Sequence, residues 1–147
     1  MQKLLFLCSG NYYRSRFAEE YFNHLTETKG LNWRAFSRGL SQHMPNPNNP
    51  GPISQHTIEA LNERKINGKE LTRFPIPLEE NDFVKYDKII ALSENEHRPM
   101  LEAHFYHHCD KIAFFEVGDL HLEAPKEAMK KLSILLDALV QRLKRKI

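Results

Sequence analysis

Four short apolar runs, "KLLFLC", "NWRAFSRG", "DKIIALS" and "DKIAFFEV", are separated by stretches long enough to hold a helix, and this alternation limits the fold more than any other feature. Short continuous apolar runs suit strands covered on both faces. Adjacent parallel strands need a crossover, usually a helix. The intervening segments supply one each time. In "RSRFAEEYFNHLTETKG", Phe17, Ala18, Tyr21, Phe22 and Leu25 recur at helical spacing, and Gly30 stands as a stop. "SQHTIEALNERKING" offers Ser54 as a cap, Ile58, Leu61 and Lys65 along one side, and Gly68 as its close. "ENEHRPMLEAHFY" is helical, with Pro99 either dividing it or seated in its first turn. "KEAMKKLSILLDALVQRLKRKI" is a long amphipathic helix with Met129, Leu132, Leu135, Leu136, Leu139 and Leu143 on its apolar side. The pattern predicts an α/β fold: a single three-layer domain over 1–147, with a four-stranded parallel sheet flanked by helices on both faces.

Composition agrees with one core. The chain has 147 residues, 41% hydrophobic and 27% charged, an ordinary balance for a globular domain. A net charge of +2 is too small to point to nucleic acid or a membrane as partner. The basic end "QRLKRKI" complements the dipole of its own helix. Cys8 and Cys109 are the only cysteines, so a disulfide framework is not the organising device. The N-terminal apolar stretch is too short and lacks the cleavage pattern of a signal peptide, and no run reaches the ~18 apolar residues of a membrane span. A reducing cytoplasm is the expected setting.

In parallel sheets, ligands sit beyond the carboxyl ends of the strands. Cys8, Ser37 to Gly39, Ser93 and Val117 to Asp119 all fall at such ends. After the first strand comes "CSGNYYRS". A loop of this kind entering a helix can turn successive backbone N–H groups, from Ser9 to Tyr13, toward one centre, and the helix start adds partial positive charge. Gly10 permits close approach, and Asn11 tolerates the left-handed conformation such a cradle often needs. Arg14 offers a planar fork for two oxygens of a tetrahedral oxyanion. The same field favours thiolate over thiol at Cys8, and Ser15 can donate a hydrogen bond to the sulfur. The residues describe a phosphate-binding loop with a nucleophile at its floor, suited to phosphoryl transfer onto sulfur.

"LLFLCSGNYYRSRFAEEYF" resembles the start of the low-molecular-weight protein tyrosine phosphatases, whose loop reads Cys-x-Gly-Asn-x-Cys-Arg-Ser after a hydrophobic strand. Cys8, Gly10, Asn11, Arg14 and Ser15 match. "FSRG", "KIIALSENE" and "FFEVGDLHLEAP" resemble later family segments in the same order. The resemblance implies hydrolysis of phosphotyrosine in protein substrates through a phosphocysteine on Cys8, without cofactor or metal. Arg14 and the amides of Ser9, Gly10, Asn11, Tyr12 and Tyr13 would hold the phosphoryl group, with Ser15 supporting the sulfur. Asp119 takes the position of the family's general acid, with Glu116 and Glu123 as fallbacks.

The departures are informative. Leu120 replaces the family's proline after the acid, and His121 and Leu122 fall where tyrosines usually line the pocket. Tyr13 replaces the second loop cysteine, so the reversible disulfide shelter that the family forms is lost and Cys8 is more open to irreversible oxidation. Arg16 stands for a proline, and Tyr12 sits at the pocket entrance, to stack on a substrate ring or to pack on the protein. "SQHMPNPNNPG" is a longer loop bordering the same mouth, with His43 where an aromatic often stands. Phosphoarginine hydrolysis belongs to a branch of the family with a small threonine where this chain has Tyr12.

"HFYHHCD" clusters histidines with Cys109, but no paired ligand set exists elsewhere, so a solvated helix end is expected there, with Cys109 beginning a buried strand. Arg73 reads as a solvated loop charge. Ser37 and Ser93 either buttress the Cys8 loop or cap their own strand ends. Two other functions stay open: a phosphate-binding module of the same fold without turnover, and arsenate reduction, which needs a relay of cysteines that this chain lacks.

Overall fold

The computed structural model describes residues 1–42, 44 and 46–145. Four parallel strands form one sheet in the order β2-β1-β3-β4: β1 Gln2–Cys8, β2 Trp33–Gly39, β3 Lys88–Ala91 and β4 Ile112–Phe114. Along β1, Leu4 and Phe6 face one side and Leu5 and Leu7 the other, and all four are fully buried. That is why the run is apolar without alternation. Helices α1 (Arg14–Lys29), α2 (Gln55–Glu63) and α5 (Pro125–Arg145) cover the first face, where Phe17, Phe22, Leu61, Leu132 and Leu136 pack on Leu4, Phe6 and Ile90. The short α3 (Asp82–Lys85) and α4 (Glu94–His104) cover the second, through Phe83 and Leu101 on Leu5, Leu7 and Ile89. In the sheet Cys8 pairs with Gly39, Leu7 with Ala91, and Ala91 with Phe114, so the carboxyl ends of all four strands meet at one edge.

Local signals set most boundaries. Gly30 ends α1 in the left-handed conformation (φ 68°), and Leu31 N–H reaches back to the Thr26 carbonyl. Ser54 caps α2 by accepting from His56 N–H. Several expectations are corrected. The second helix does not run to Gly68: Lys65 turns left-handed (φ 58°), and Ile66 N–H bonds the Leu61 carbonyl while its side chain enters the core. Pro99 neither divides α4 nor sits in its first turn; it lies inside one continuous helix whose start is held by the Ser93 cap and by Glu116. The fourth strand is only Ile112–Phe114, because Tyr106–Lys111 coil as a 3₁₀ turn. Cys109 therefore lies half-buried in that turn rather than in a core strand. The histidines beside it go separate ways: His104 ends α4, while His108 stacks on Phe83 and pairs with Glu80.

Helix α1 is buried on its polar side as well. Segment 69–73 crosses it, and Glu20 accepts the Lys69 and Glu70 amides. Arg16, 1% exposed, donates to the carbonyls of Pro52, Glu70 and Arg73 at 2.9, 2.7 and 2.8 Å and, more weakly, to Asn11 at 3.4 Å. Burial first, then the nearby Arg73 charge, lowers its pKa to about 10, which leaves it cationic at neutral pH. One guanidinium thus ties α1 to two loops, and only a planar, many-donor group can do so. Replacing Arg16 with methionine keeps the volume but orphans these carbonyls. We expect a loss of about 3 kcal/mol or more in chemical denaturation; a loss under about 0.5 kcal/mol would show that water satisfies them instead.

Candidate active site

The segment between β1 and α1 sorts its backbone by polarity. The carbonyls of Cys8, Ser9, Tyr12 and Tyr13 turn outward and accept from Leu40, Ser41, Ser54 and Phe17 amides respectively. Among the described residues, the amides of Ser9, Gly10, Asn11, Tyr12 and Tyr13 find no acceptor in the protein. A loop with its carbonyls engaged outside and its amides left over is built to receive an anion. Asn11 makes this shape possible. It is left-handed (φ 50°), its Nδ2 donates to Ser15 Oγ at 2.8 Å and Ser37 Oγ at 2.9 Å, and its Oδ1 accepts Ile76 N–H at 3.0 Å. Gly39 leaves the room: a Cβ there would stand 3.0 Å from the Ser9 carbonyl and 3.1 Å from Asn11 Cβ.

Cys8 lies at the loop floor, 2% exposed, with Sγ 2.9 Å from Ser15 Oγ. Since Ser15 Oγ already accepts from Asn11, its own proton is available to the sulfur. Above the sulfur is a cavity of about 210 Å³, lined by Cys8, Gly10, Tyr12, Tyr13, Arg14, Asn49, Asp119, Leu120 and His121. The structure therefore brings the Cys8–Arg14 loop and the distant Asp119 onto one cavity.

Arg14 is 2% exposed. Its Nη1 donates to the Val117 carbonyl at 2.9 Å, and its Nη2 donates to Glu96 Oε2 at 2.7 Å and lies 3.6 Å from Asp119 Oδ2. Burial alone would lower its pKa, but Cys8, Glu96 and Asp119 together raise it. Asp119 opens a turn: its Oδ1 accepts Leu120 N–H, and its carbonyl accepts the Leu122 and Glu123 amides. The two fallback acids are employed elsewhere. Glu116 accepts from Ser93 Oγ and the Glu94 amide at the start of α4. Glu123 accepts the Gly118 amide and Lys131 Nζ, which hold its pKa below the usual carboxylate range.

Ser37 buttresses the loop through Asn11, whereas Ser93 caps α4 by accepting from Glu96 N–H. Arg73 is not a solvated charge, as expected from sequence. It pairs with the buried Glu19 at 3.1 Å and donates to Ser37 Oγ at 3.0 Å, because segment 69–73 packs over α1. Tyr13 is 4% exposed and meets the His56 ring edge-on, while its buried hydroxyl finds no partner among the described residues. Burial, and then the negative charge of Asp119, push that hydroxyl up to about 12. Tyr12 donates its hydroxyl to the Pro50 carbonyl at 2.7 Å, which tethers the ring to the long loop at the mouth. His43 lies outside the described residues.

Sequence reasoning missed Glu96. "SENE" has the Ser-x-x-Glu form of a capping box, in which the glutamate would bond back to the cap residue's own amide. Here His97 Nδ1 takes the Ser93 amide at 3.0 Å, and the glutamate turns to Arg14. Burial disfavours the Glu96 charge, but hydrogen bonds from His97, Arg14 and Ser9 outweigh it and hold its pKa far below the ordinary carboxylate range. Ionisation of Glu96 therefore favours the folded state above that ordinary range, an advantage lost only as pH falls below it.

Known proteins resemble this chain over most of its length. The family model "Low molecular weight phosphotyrosine protein phosphatase" matches residues 3–146. The protein-arginine-phosphatase of Bacillus subtilis (strain 168) is 31% identical over 109 residues, covering 74% of this chain and 67% of that protein. The crystal structure of a YwlE mutant from Bacillus subtilis is 27% identical, with a TM-score of 0.80 over 98% of this chain and 99% of the other. A low molecular weight protein tyrosine phosphatase from T. tengcongensis is 28% identical, also with a TM-score of 0.80, over 97% and 99%. The chain belongs to the low molecular weight phosphotyrosine protein phosphatase family.

Proposed function

We propose that this protein hydrolyses phosphotyrosine in protein substrates through a phosphocysteine on Cys8, in a reducing compartment such as the cytoplasm. The observation that carries the reading is the loop whose Cys8, Ser9, Tyr12 and Tyr13 carbonyls are bonded outward while, among the described residues, its amides from Ser9 to Tyr13 find no acceptor above a buried sulfur. In the first step the Cys8 sulfur attacks phosphorus, and the bond to the tyrosyl oxygen breaks. Arg14 and the amides from Ser9 to Tyr13 hold the equatorial oxygens, where charge spreads in the transition state. Asp119, across the cavity, gives its proton to the departing oxygen. In the second step Asp119 takes a proton from water as the water attacks phosphorus, releasing orthophosphate and the Cys8 thiolate. No step needs a metal. Hydrolysis of para-nitrophenyl phosphate, unaffected by a chelator, is the direct test. An intact protein that binds orthophosphate without turnover would favour a binding module.

The similarity to a protein-arginine-phosphatase supports a second reading, phosphoarginine as the substrate. Tyr12 favours the aryl substrate. Its ring is tethered beside the entrance and presents an apolar face to a planar phenyl group. Phosphotyrosine and phosphoarginine peptides of one sequence should therefore differ in kcat/KM by about tenfold or more in favour of phosphotyrosine, and Tyr12→Thr should narrow that ratio by a similar factor. A preference for phosphoarginine in the intact protein would assign the second reading.

A further inference from the structure

We propose that Glu96 is a positioning residue of the phosphate pocket: one carboxylate oxygen, reaching in from α4, holds both ends of the Cys8 loop so that Arg14 fits the transition state. The inference rests on the phosphatase reading above. Three side chains converge on Glu96 Oε2. Arg14 Nη2 donates to it at 2.7 Å, Ser9 Oγ donates to it, and His97 Nε2 lies 3.1 Å away. Ser9 opens the loop and Arg14 closes it, so the carboxylate spans the cradle from a separate element. His97 is fully buried, and its Nδ1 accepts the Ser93 amide. The ring proton of that tautomer is therefore on Nε2, facing Glu96 and Ser9 Oγ.

The consequence for Arg14 is geometric. With Nη1 on the Val117 carbonyl and Nη2 on Glu96, the guanidinium plane is held at two points, and the remaining N–H donors of the fork are left for an oxyanion. A tetrahedral phosphate in the ground state is held largely by charge. A phosphoryl group passing through a planar arrangement needs the fork and the Ser9 side of the loop in register at once. Removing the Glu96 carboxylate has two opposed effects. It deletes a negative charge beside the pocket, which favours a resting anion, and it frees the fork, which penalises the transition state.

The test compares orthophosphate, a resting tetrahedral anion, with vanadate, which adopts the five-coordinate geometry of the transition state. Each is measured by protection of Cys8 from iodoacetamide, so that binding is read without turnover. For Glu96→Ala we expect the vanadate constant to weaken by about thirtyfold or more and the orthophosphate constant to change by less than about threefold, with kcat rather than KM carrying the loss. Glu96→Gln keeps an acceptor at the same reach and should restore vanadate binding to within about threefold of the intact protein. Glu96→Asp, shorter by one methylene with its charge intact, supplies the same comparison should the alanine variant fail to fold; it should weaken vanadate more than orthophosphate. Equal weakening of both anions would overturn the proposal in favour of general structural support, and unchanged vanadate binding would overturn it outright. An intact protein that binds vanadate but turns over no aryl phosphate would instead remove the phosphatase reading, while the comparison of the two anions stays readable.

Discussion

Cys8→Ser should lose turnover of para-nitrophenyl phosphate by at least about 10⁴-fold while keeping its fold and its affinity for orthophosphate. The substitution is nearly isosteric. Ser15 remains beside the side chain, and neither the loop amides nor the Arg14 fork depends on sulfur. What is lost is the sulfur nucleophile; the serine oxygen that replaces it is a far weaker nucleophile toward phosphorus. Activity, orthophosphate binding and thermal melting, measured on the same preparation, separate these effects. Residual activity above about one part in a hundred, with melting unchanged, would mean that the phosphoryl group is not transferred to residue 8.

The second large effect belongs to Asp119. Its Oδ2 lies 3.6 Å from Arg14 Nη2, beyond ordinary hydrogen-bond distance, and its side chain stays partly open to the cavity. With Oδ1 held by the Leu120 N–H, Oδ2 is the oxygen that can face a leaving group without giving up a hydrogen bond. Asp119→Asn removes the transferable proton and keeps the shape. We expect kcat/KM to fall by about 10² to 10³ for alkyl-substituted phenyl phosphates, whose leaving groups are poor. For para-nitrophenyl phosphate the fall should be smaller, since that leaving group departs well without a proton. A loss independent of the leaving group would reassign Asp119 to binding. Full activity in the variant would send the acid role to another group, and neither Glu116 nor Glu123 is free to take it without giving up the bonds that hold α4 or the Gly118 turn.

The parts of the site legible in the sequence are those written in consecutive residues. Cys8 to Ser15 follow a strand buried on both faces and lead into a helix, so their roles can be argued from local geometry alone. The strand ends at Gly39 and Ala91 fall beside Cys8 for the same reason, because parallel register aligns them. Glu96, Arg16, Glu19 and Arg73 were not legible in this way. Each is a charged residue on a helix or loop, which a sequence pattern places in solvent. Their burial depends on segment 69–73 crossing α1 and on α4 starting beside the Arg14 fork. Strand length failed at β4 for a related reason. "DKIAFFEV" has the apolar content of a long strand, but a 3₁₀ turn claims residues up to Lys111 and only Ile112–Phe114 pair with β3.

The sequence by itself determined the layered α/β fold and the tight loop that carries Cys8 from β1 into α1, because hydrophobic periodicity and turn chemistry act between near neighbours. Only the tertiary structure decided that Glu96 joins Asp119 beside Arg14, and that Glu116 and Glu123 are bonded elsewhere. The attraction between a carboxylate and a guanidinium depends on their separation in space and on how much water lies between them, and neither quantity is set until distant segments have packed.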